Sequence, residues 1–265
     1  MQKVDRRTRT HNSLIADVEF LKNHQLKKEE QITASRNNPS KVFDTLFKQL
    51  QNDDSAASIL YDHNKDVEKI CNALMQNNEI RQKQVLVVAS AGKKAGCSQF
   101  TLALANELKQ YNKRTIVIDA NMRSRGFTRF TRMQEEGLGL TDLLAGDAPL
   151  WKCLVRLDDS EVFLLERGRQ RNNLTRVLLE GHINELLDLF HDLFEFIIVE
   201  LPPLLSNTSF ELWANQGDAL IFIDESSKQH DVFLKKLQSQ MKAAGLEFWG
   251  KSNVPSIEQL EQEAV

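Results

Sequence analysis

The sequence predicts an α/β protein, in which a mostly parallel sheet is flanked by helices on both faces and preceded by a helical N-terminal extension. Short runs rich in β-branched residues alternate with longer segments whose apolar residues recur at helical spacing, a pattern typical of such sheets. The predicted strands are 84–89, 115–119, 161–165, 195–199 and 218–223. The predicted helices between and after them are 98–110, 140–145, 174–194 and 230–244.

The polar first third of the chain predicts a separate unit. Residues 1–80 are rich in Lys, Gln, Asn and Asp and contain no convincing strand, so we interpret them as a helical extension with a docking role. We assign residues 81–265 to the sheet domain. Within the extension, one amphipathic helix is predicted after Pro39 and a second over about 65–75, with the stretch QNDDSAAS as the linker between them.

Composition narrows the classes of function. The 265-residue chain has a formal net charge of -3, which gives no global basic field for binding nucleic acid. Its three cysteines are too few and too scattered for a disulfide framework or a zinc site. Every apolar run is far shorter than the about 20 residues of a membrane helix. We therefore expect a cytoplasmic protein that reaches the inner membrane only indirectly, through a partner.

The stretch SAGKKAGCSQ lies between the first predicted strand and its helix, which is the setting of a phosphate-binding loop. In such a P-loop, backbone N–H groups and a lysine bind phosphate, and a Ser or Thr hydroxyl holds Mg²⁺. Here Ser98 provides the hydroxyl, but Cys97 stands where the lysine belongs. The vestigial nucleotide-binding residues are Lys93, Lys94, Gly96, Cys97 and Ser98.

Two acidic residues are predicted to meet this loop. Asp119 ends the second predicted strand and Glu200 follows the fourth, and ligands of such sheets bind at the carboxyl ends of the strands. Together with Ser98 they would be the ligands of a metal ion, if one binds. Both acids could instead only begin polar turns, but the ordered set of three favours a nucleotide site.

With these residues in place, residues 84–225 resemble the cytoplasmic domain of bacterial tyrosine autokinases, which act in capsule and exopolysaccharide production. That family belongs to the deviant Walker P-loop ATPases, which include chromosome- and septum-positioning ATPases. The segments that carry the resemblance are SAGKKAGCSQ, IDANMR at 118–123, VELPPL at 199–204 and GLGLTDLLAGDAP at 137–149. The resemblance implies a P-loop-type fold, with ATP or ADP and Mg²⁺ as the family's ligands.

Each of the three site motifs departs from the family pattern at a residue to which the resemblance gives a chemical role. Cys97 replaces the loop lysine, Asn121 the second aspartate of the second motif, and Glu200 the aspartate of the third. Losing one preorganised donor typically costs about 10²–10³ in rate, and Mg²⁺ demands near-ideal octahedral geometry. We therefore expect no catalytic residue and no required cofactor, with ATP or ADP and Mg²⁺ bound weakly if the site is retained.

Three features of the sequence each allow two interpretations. Lys93 or Lys94 could reach an outer phosphate in place of the missing lysine, although a solvated turn is the plainer explanation. Cys97 is either a reactive thiol at a helix N-terminus or an inert small residue, and we favour the inert residue. A basic cluster after the second motif either binds polyphosphate or an acidic partner, or forms a solvated loop. Its members are Arg123, Arg125, Arg129 and Arg132.

The leading hypothesis is a catalytically silent autokinase-like protein, a regulatory or scaffolding component of exopolysaccharide or capsule synthesis and export. Its partner would be a membrane-embedded chain-length or export component, or a synthase. Assembly of the protein into a homo-oligomer is compatible with this hypothesis. The second hypothesis is an active ATP-dependent kinase or ATPase with unorthodox ligands. The third is a positioning-ATPase-like regulator of cellulose synthesis or polar localisation. Where the autokinases carry a C-terminal tyrosine cluster, this sequence has two tyrosines, Tyr61 and Tyr111.

The apolar face of the helix after Pro39 is the predicted docking surface, together with Arg123, Arg125 and Arg129. Such a stripe must be covered, either by the chain's own sheet domain or by a groove of a partner. The apolar members are Val42, Phe43, Leu46, Phe47 and Leu50.

We expect the double substitution Phe43→Asp and Phe47→Asp to abolish co-purification with a membrane-embedded export component and to leave the thermal melt nearly unchanged, because the linker separates this helix from the domain. The control pair Lys48→Asp and Gln49→Asp, on the polar face, should keep the partner bound. A drop of many degrees in melting temperature would instead place the helix in the domain's own core and move the docking surface to the loop around 123–132.

Overall fold

The structure is a computed structural model, and the predicted helices after Pro39 and over 230–244 lie outside the part of the chain that it describes. The described residues are 65–76, 85–90, 96–122, 126–127, 137–157, 161–172, 177–178, 183–203, 213, 216–223 and 247–252.

In the described part of the chain, seven strands form one sheet in the order β3-β4-β2-β5-β1-β6-β7. The strands are β1 Val85–Ser90, β2 Thr115–Asp119, β3 Leu154–Leu157, β4 Val162–Leu165, β5 Phe196–Glu200, β6 Ala219–Ile223 and β7 Glu247–Ser252. All neighbours pair in parallel except β3 and β4, which are antiparallel. The predicted fold class is therefore confirmed, and β3 and β7 are additions at the two edges.

In the described ranges five helices accompany these strands, one before β1 and four between strands: α1 Lys65–Gln76, α2 Cys97–Gln110, α3 Leu140–Leu144, α4 Leu150–Cys153 and α5 Ile183–Leu193. Of these, α1, α2 and α3 match the predicted helices closely, whereas α5 lies within the longer helix predicted over 174–194. The four-residue α4 was not predicted. None of the described helices is long and apolar enough to cross a membrane.

Helices cover both faces of the sheet, and the strands supply alternate residues to two cores. On one face, Val87, Ile118 and Val199 pack with α3, α4 and α5. On the other face, Val88 and Val117 pack with α1 and α2. Strands β1, β2 and β5 are buried along their whole length, which explains why they read as continuous apolar runs and not as alternating ones.

Helix α1 packs directly on α2. Its residues Val67, Cys71 and Leu74 are fully buried in the same core as the apolar face of α2. At the end of α2, the Tyr111 hydroxyl donates a 2.8 Å hydrogen bond to Asn72 Oδ1. This helix of the N-terminal region therefore contributes to the hydrophobic core of the sheet domain.

The start of α3 is bonded to the loop that follows β4. Backbone N–H groups of Leu140 and Thr141 donate to the carbonyl oxygens of Glu166 and Arg167, at 2.7 and 2.9 Å. The two backbones approach so closely that a Cβ at Gly139 would collide with the carbonyl oxygen of Glu166. The GLGLTDLL segment therefore serves to hold the β4 loop in place.

A buried carboxylate completes this junction. Asp142 is fully buried and accepts hydrogen bonds from the backbone N–H of Gly139 and of Arg169. It also pairs with Arg169 Nε at 2.6 Å and with Arg171 Nη2 at 2.8 Å. Burial acts to raise the pKa of Asp142, but these hydrogen bonds outweigh it and hold the pKa below its ordinary value. We call this arrangement the Asp142 junction.

We expect Asp142→Ala to lower the free energy of unfolding by about 3–5 kcal/mol, because it removes the buried acceptor of two backbone N–H groups and one of the two carboxylate partners of the partly buried Arg171. The matched control is Asp147→Ala, which removes only a half-exposed partner of Arg171 and should cost about 1 kcal/mol or less. Urea unfolding followed by circular dichroism measures both.

The same junction predicts a pH dependence. Because the folded-state pKa of Asp142 is lowered, its contribution is complete above the unfolded-state pKa and is lost as the pH falls through the folded-state value. The stability difference between wild type and Asp142→Ala should therefore shrink in acid and stay constant near neutral pH. Equal stability of the two proteins at pH 7 would contradict a structural role for this carboxylate.

Candidate nucleotide site

The carboxyl ends of three neighbouring parallel strands bring the predicted motifs together. Strand β5 lies between β1 and β2, with Glu200 opposite Val88 on one side and opposite Asp119 on the other. The backbone continues this contact beyond the strands, because the Ala120 N–H donates to the Glu200 carbonyl oxygen at 3.0 Å. The second and third motifs are therefore adjacent, as the sequence predicted from their strand-end positions.

The first turn of α2 reaches the same edge. Gly96 precedes the helix with φ 66° and ψ 24°, a left-handed conformation that glycine adopts without a steric penalty. This turn directs Ser98 toward β5, where Ser98 Oγ donates a 2.8 Å hydrogen bond to Glu200 Oε1. Glu200 is only 1 % exposed, so the pair is buried. A hydroxyl from the first motif and a carboxylate from the third thus form one unit.

The two carboxylates of the site share a buried environment. Burial raises the pKa of Glu200, and the nearby polar side chains of Ser98, Asn121 and Thr101 act in the opposite direction. Burial and the charge of Glu200 together raise the pKa of Asp119, while the Asn121 N–H, which donates to Asp119 Oδ1 at 2.9 Å, lowers it. Burial is the largest cause for both groups, and the hydrogen bonds to the carboxylates offset it only in part.

Several buried oxygen atoms at this edge have no hydrogen-bond partner among the described residues. They include Glu200 Oε2, Asn121 Oδ1 and Thr101 Oγ1. Within those residues no cluster of three or more His, Cys, Asp or Glu side chains could hold a metal alone. Mg²⁺ commonly takes one or two carboxylates and completes its shell with phosphate oxygens and water. The oxygen set of Ser98, Asp119 and Glu200 therefore fits Mg²⁺ that is held jointly with a phosphate group.

Cys97 adds no charge to this site. Its half-buried thiol packs against the core between α2 and the sheet. Burial raises the pKa of the Cys97 thiol, as do the charges of Glu200 and Asp119, while a hydrogen bond with Ser90 acts in the opposite direction. The thiol is therefore neutral near pH 7, which supports the interpretation of Cys97 as an inert residue and not as a reactive cysteine.

Two residues at this edge were not singled out from the sequence. Gly126 lies against the Ser98–Glu200 pair, and a Cβ added there would collide with Ser98 Oγ. Arg167, in the loop after β4, donates from Nη1 to the Met122 carbonyl oxygen at 3.3 Å. Since β4 is the parallel neighbour of β2, the charged pair Glu166-Arg167 after its apolar run is the sequence signal that could have identified Arg167.

Of the predicted site residues, the structure brings Gly96, Cys97, Ser98, Asp119 and Glu200 to one edge. Lys93 and Lys94 lie outside the described residues, as do the predicted docking residues Val42, Phe43, Leu46, Phe47, Leu50, Arg123, Arg125 and Arg129.

The mostly parallel sheet with helices on both faces defines a P-loop-type α/β fold. The sequence is 24 % identical over 188 residues to the tyrosine-protein kinase CpsD of Streptococcus agalactiae, a match that covers 70 % of this chain and 81 % of that protein. Its fold is similar to the kinase domain of the Escherichia coli tyrosine kinase ETK, with a TM-score of 0.62, 20 % identity and coverage of 70 % and 72 % of the two chains.

A third similarity is to the septum site-determining protein MinD from Pyrococcus horikoshii, solved with Mg-ADP. Its TM-score is 0.50 at 18 % identity, and the match covers 63 % of this chain and 68 % of that one. No family model matches the sequence. The predicted resemblance is confirmed: the homologues of this chain are named bacterial capsule tyrosine kinases, and its structural neighbours include P-loop ATPases of the MinD type.

The raised pKa of the half-buried Cys97 thiol predicts slow labelling by a maleimide at pH 7.5, because the reactive thiolate is disfavoured there. The labelling rate of the folded protein should keep rising above pH 9 without reaching a plateau. Cys71 and Cys153 are fully buried, so Cys97→Ser is the control that removes the native signal. Rapid labelling at pH 7.5 that disappears in Cys97→Ser would show a reactive cysteine instead.

Proposed function

We propose that the protein is a catalytically silent, autokinase-like component of exopolysaccharide or capsule synthesis and export, with a regulatory or scaffolding role. The similarity to named capsule tyrosine kinases supports the pathway. The observation that supports a loss of catalysis is the neutral Cys97 thiol beside the intact Ser98–Glu200 pair. The described residues keep a hydroxyl and a carboxylate, and Cys97 stands where the autokinases have the lysine that contacts the outer phosphates.

Charge explains why this combination disfavours turnover. Phosphoryl transfer depends on positioning and on stabilising the charge of the transferred group. Here Asp119 and Glu200 are buried side by side, and neither Cys97 nor Asn121 adds a charge that could help. Losing one preorganised donor costs about 10²–10³ in rate. Three changes in three motifs should leave nucleotide binding weakened and phosphoryl transfer close to absent.

Under this proposal the protein acts through contacts with other proteins. Its partner would be a membrane-embedded chain-length or export component, or a synthase, which would hold a cytoplasmic protein at the inner membrane. Association into homo-oligomers is compatible with this role. ATP or ADP with Mg²⁺ would be weak ligands that are not consumed.

One observation favours a second candidate, an active ATPase or kinase with unusual ligands. The Ser98–Glu200 hydrogen bond and the unpartnered oxygen atoms of Glu200 and Asn121 preserve oxygen donors that fit Mg²⁺. If Lys93 or Lys94 reached the outer phosphates, the missing lysine would be replaced. Measuring turnover separates the two candidates directly.

We expect purified full-length protein to show no Mg²⁺-dependent ATP hydrolysis above a Ser98→Ala control. A rate that vanishes in that control would refute silence. The reverse design uses Cys97→Lys, Asn121→Asp and Glu200→Asp together, which restores the residue type of each family motif. If these three positions cause the silence, the triple variant should hydrolyse ATP measurably faster than wild type.

A further inference from the structure

The strand-end edge gathers three buried carboxyl groups, and the structure describes a cation beside them. Three carboxyl groups are at least nine-tenths buried there, with exposed fractions of 3 % for Asp119, 6 % for Glu166 and 1 % for Glu200. At the place of the loop lysine, Cys97 supplies no charge. A polyphosphate ligand at this edge would therefore depend on another cation within reach to offset its negative charge.

Arg167 is a cation that the fold places at this edge. It lies two residues beyond β4, whose Leu165 is paired in register with Ile118 of β2, so Arg167 follows the strand beside Asp119. Its guanidinium donates to the Met122 carbonyl oxygen, in the turn that carries Asn121. The charge of Arg167 also acts to lower the pKa of Asp119, which places the two groups within electrostatic range.

The backbone around Arg167 is firmly held, so its side chain starts from a fixed position. The Arg167 carbonyl oxygen accepts the Thr141 N–H at 2.9 Å. Gly168 has φ 81°, and a Cβ there would lie 2.6 Å from Asp142 Oδ2, so this glycine lets the loop press against the Asp142 junction. A guanidinium has five N–H donors, and the one bond of Arg167 to a carbonyl of the described residues uses only one of them.

Unpartnered oxygen atoms that a cation or water on such a ligand could contact are present as well. Asn121 is 6 % exposed, and its Oδ1 has no partner among the described residues, as is true of Glu200 Oε2. Glu200 is bonded to Ser98 in the N-terminal turn of α2, whose N–H groups favour anions, and the Asn121 side chain lies beside Glu200. An outer phosphate with a bound cation or water would satisfy these oxygen atoms and contact the guanidinium at the same time.

We propose that Arg167 is a nucleotide-binding residue, which contacts the terminal phosphate of a nucleoside triphosphate from the β4 side of the site and takes over part of the charge of the missing loop lysine. The three motifs do not include this residue. The proposal goes beyond the loss of catalysis, because a protein without turnover can still distinguish ATP from ADP through this contact.

Calorimetric titration of the full-length protein with ATP and with ADP, in Mg²⁺ and in EDTA, tests the proposal. Wild type should bind ATP more tightly than ADP. Arg167→Gln should weaken ATP by about tenfold or more, the effect of one charged hydrogen bond, and change ADP little. Arg167→Lys keeps the charge without the planar fork and should retain part of the preference.

The matched control is Arg156→Gln on β3, which removes the same charge from the edge strand of the sheet. It should leave both affinities unchanged, and its melting temperature sets the reference for Arg167→Gln. Absence of ATP binding by wild type, wild-type affinities in both Arg167 variants, or equal losses for ATP and ADP would each overturn the proposal. ATP hydrolysis in the same samples would refute silence alone and leave the Arg167 contact standing.

Discussion

The parallel pairing of β5 between β1 and β2 is the constraint on which the rest of the site depends. It sets Glu200 beside Asp119 and within reach of Ser98, although these residues come from widely separated parts of the chain. A slip of one residue in the β5 register would turn Glu200 to the opposite face of the sheet. Because both faces are buried by helices, the register is fixed by the same apolar packing that stabilises the domain.

This packing also determines the electrostatics of the site. Glu200 and Asp119 are buried because the strands that carry them are buried, and the pKa of each carboxyl group is raised as a result. In a P-loop the positive charge of the lysine and of Mg²⁺ would compensate such carboxylates. With Cys97 in the loop, compensation must come from elsewhere in the fold or from a bound cation. The lost lysine therefore changes the charge balance of the whole edge and removes more than a single contact.

The Asp142 junction extends the site toward β4. Its buried carboxylate gathers two arginines and two backbone N–H groups, and the neighbouring backbone bonds fix the loop that carries Arg167. Among the described residues, the hydrogen bonds of the junction do not involve the nucleotide motifs, yet the junction sets the position of the Arg167 backbone. A buried ion pair of this kind adds little net stability over an apolar contact, but breaking it is costly. Its value to the protein is a loop held in one conformation.

The sequence by itself determined the fold class, five of the seven described strands and the set of motifs, because apolar periodicity and residue type are local properties of the chain. It also determined which side chains of the family motifs are replaced, since Cys97 and Asn121 are identified from the sequence itself. Edge strands β3 and β7 were not predicted, because the four-residue LVRL directly follows a helix and EFWGKS is interrupted by Gly250. Only the tertiary structure decided that Ser98 bonds to Glu200, that Gly126 lies against this pair, and that Arg167 faces the second motif. Those contacts arise from strand order and register between distant segments, and no local pattern in the sequence specifies them.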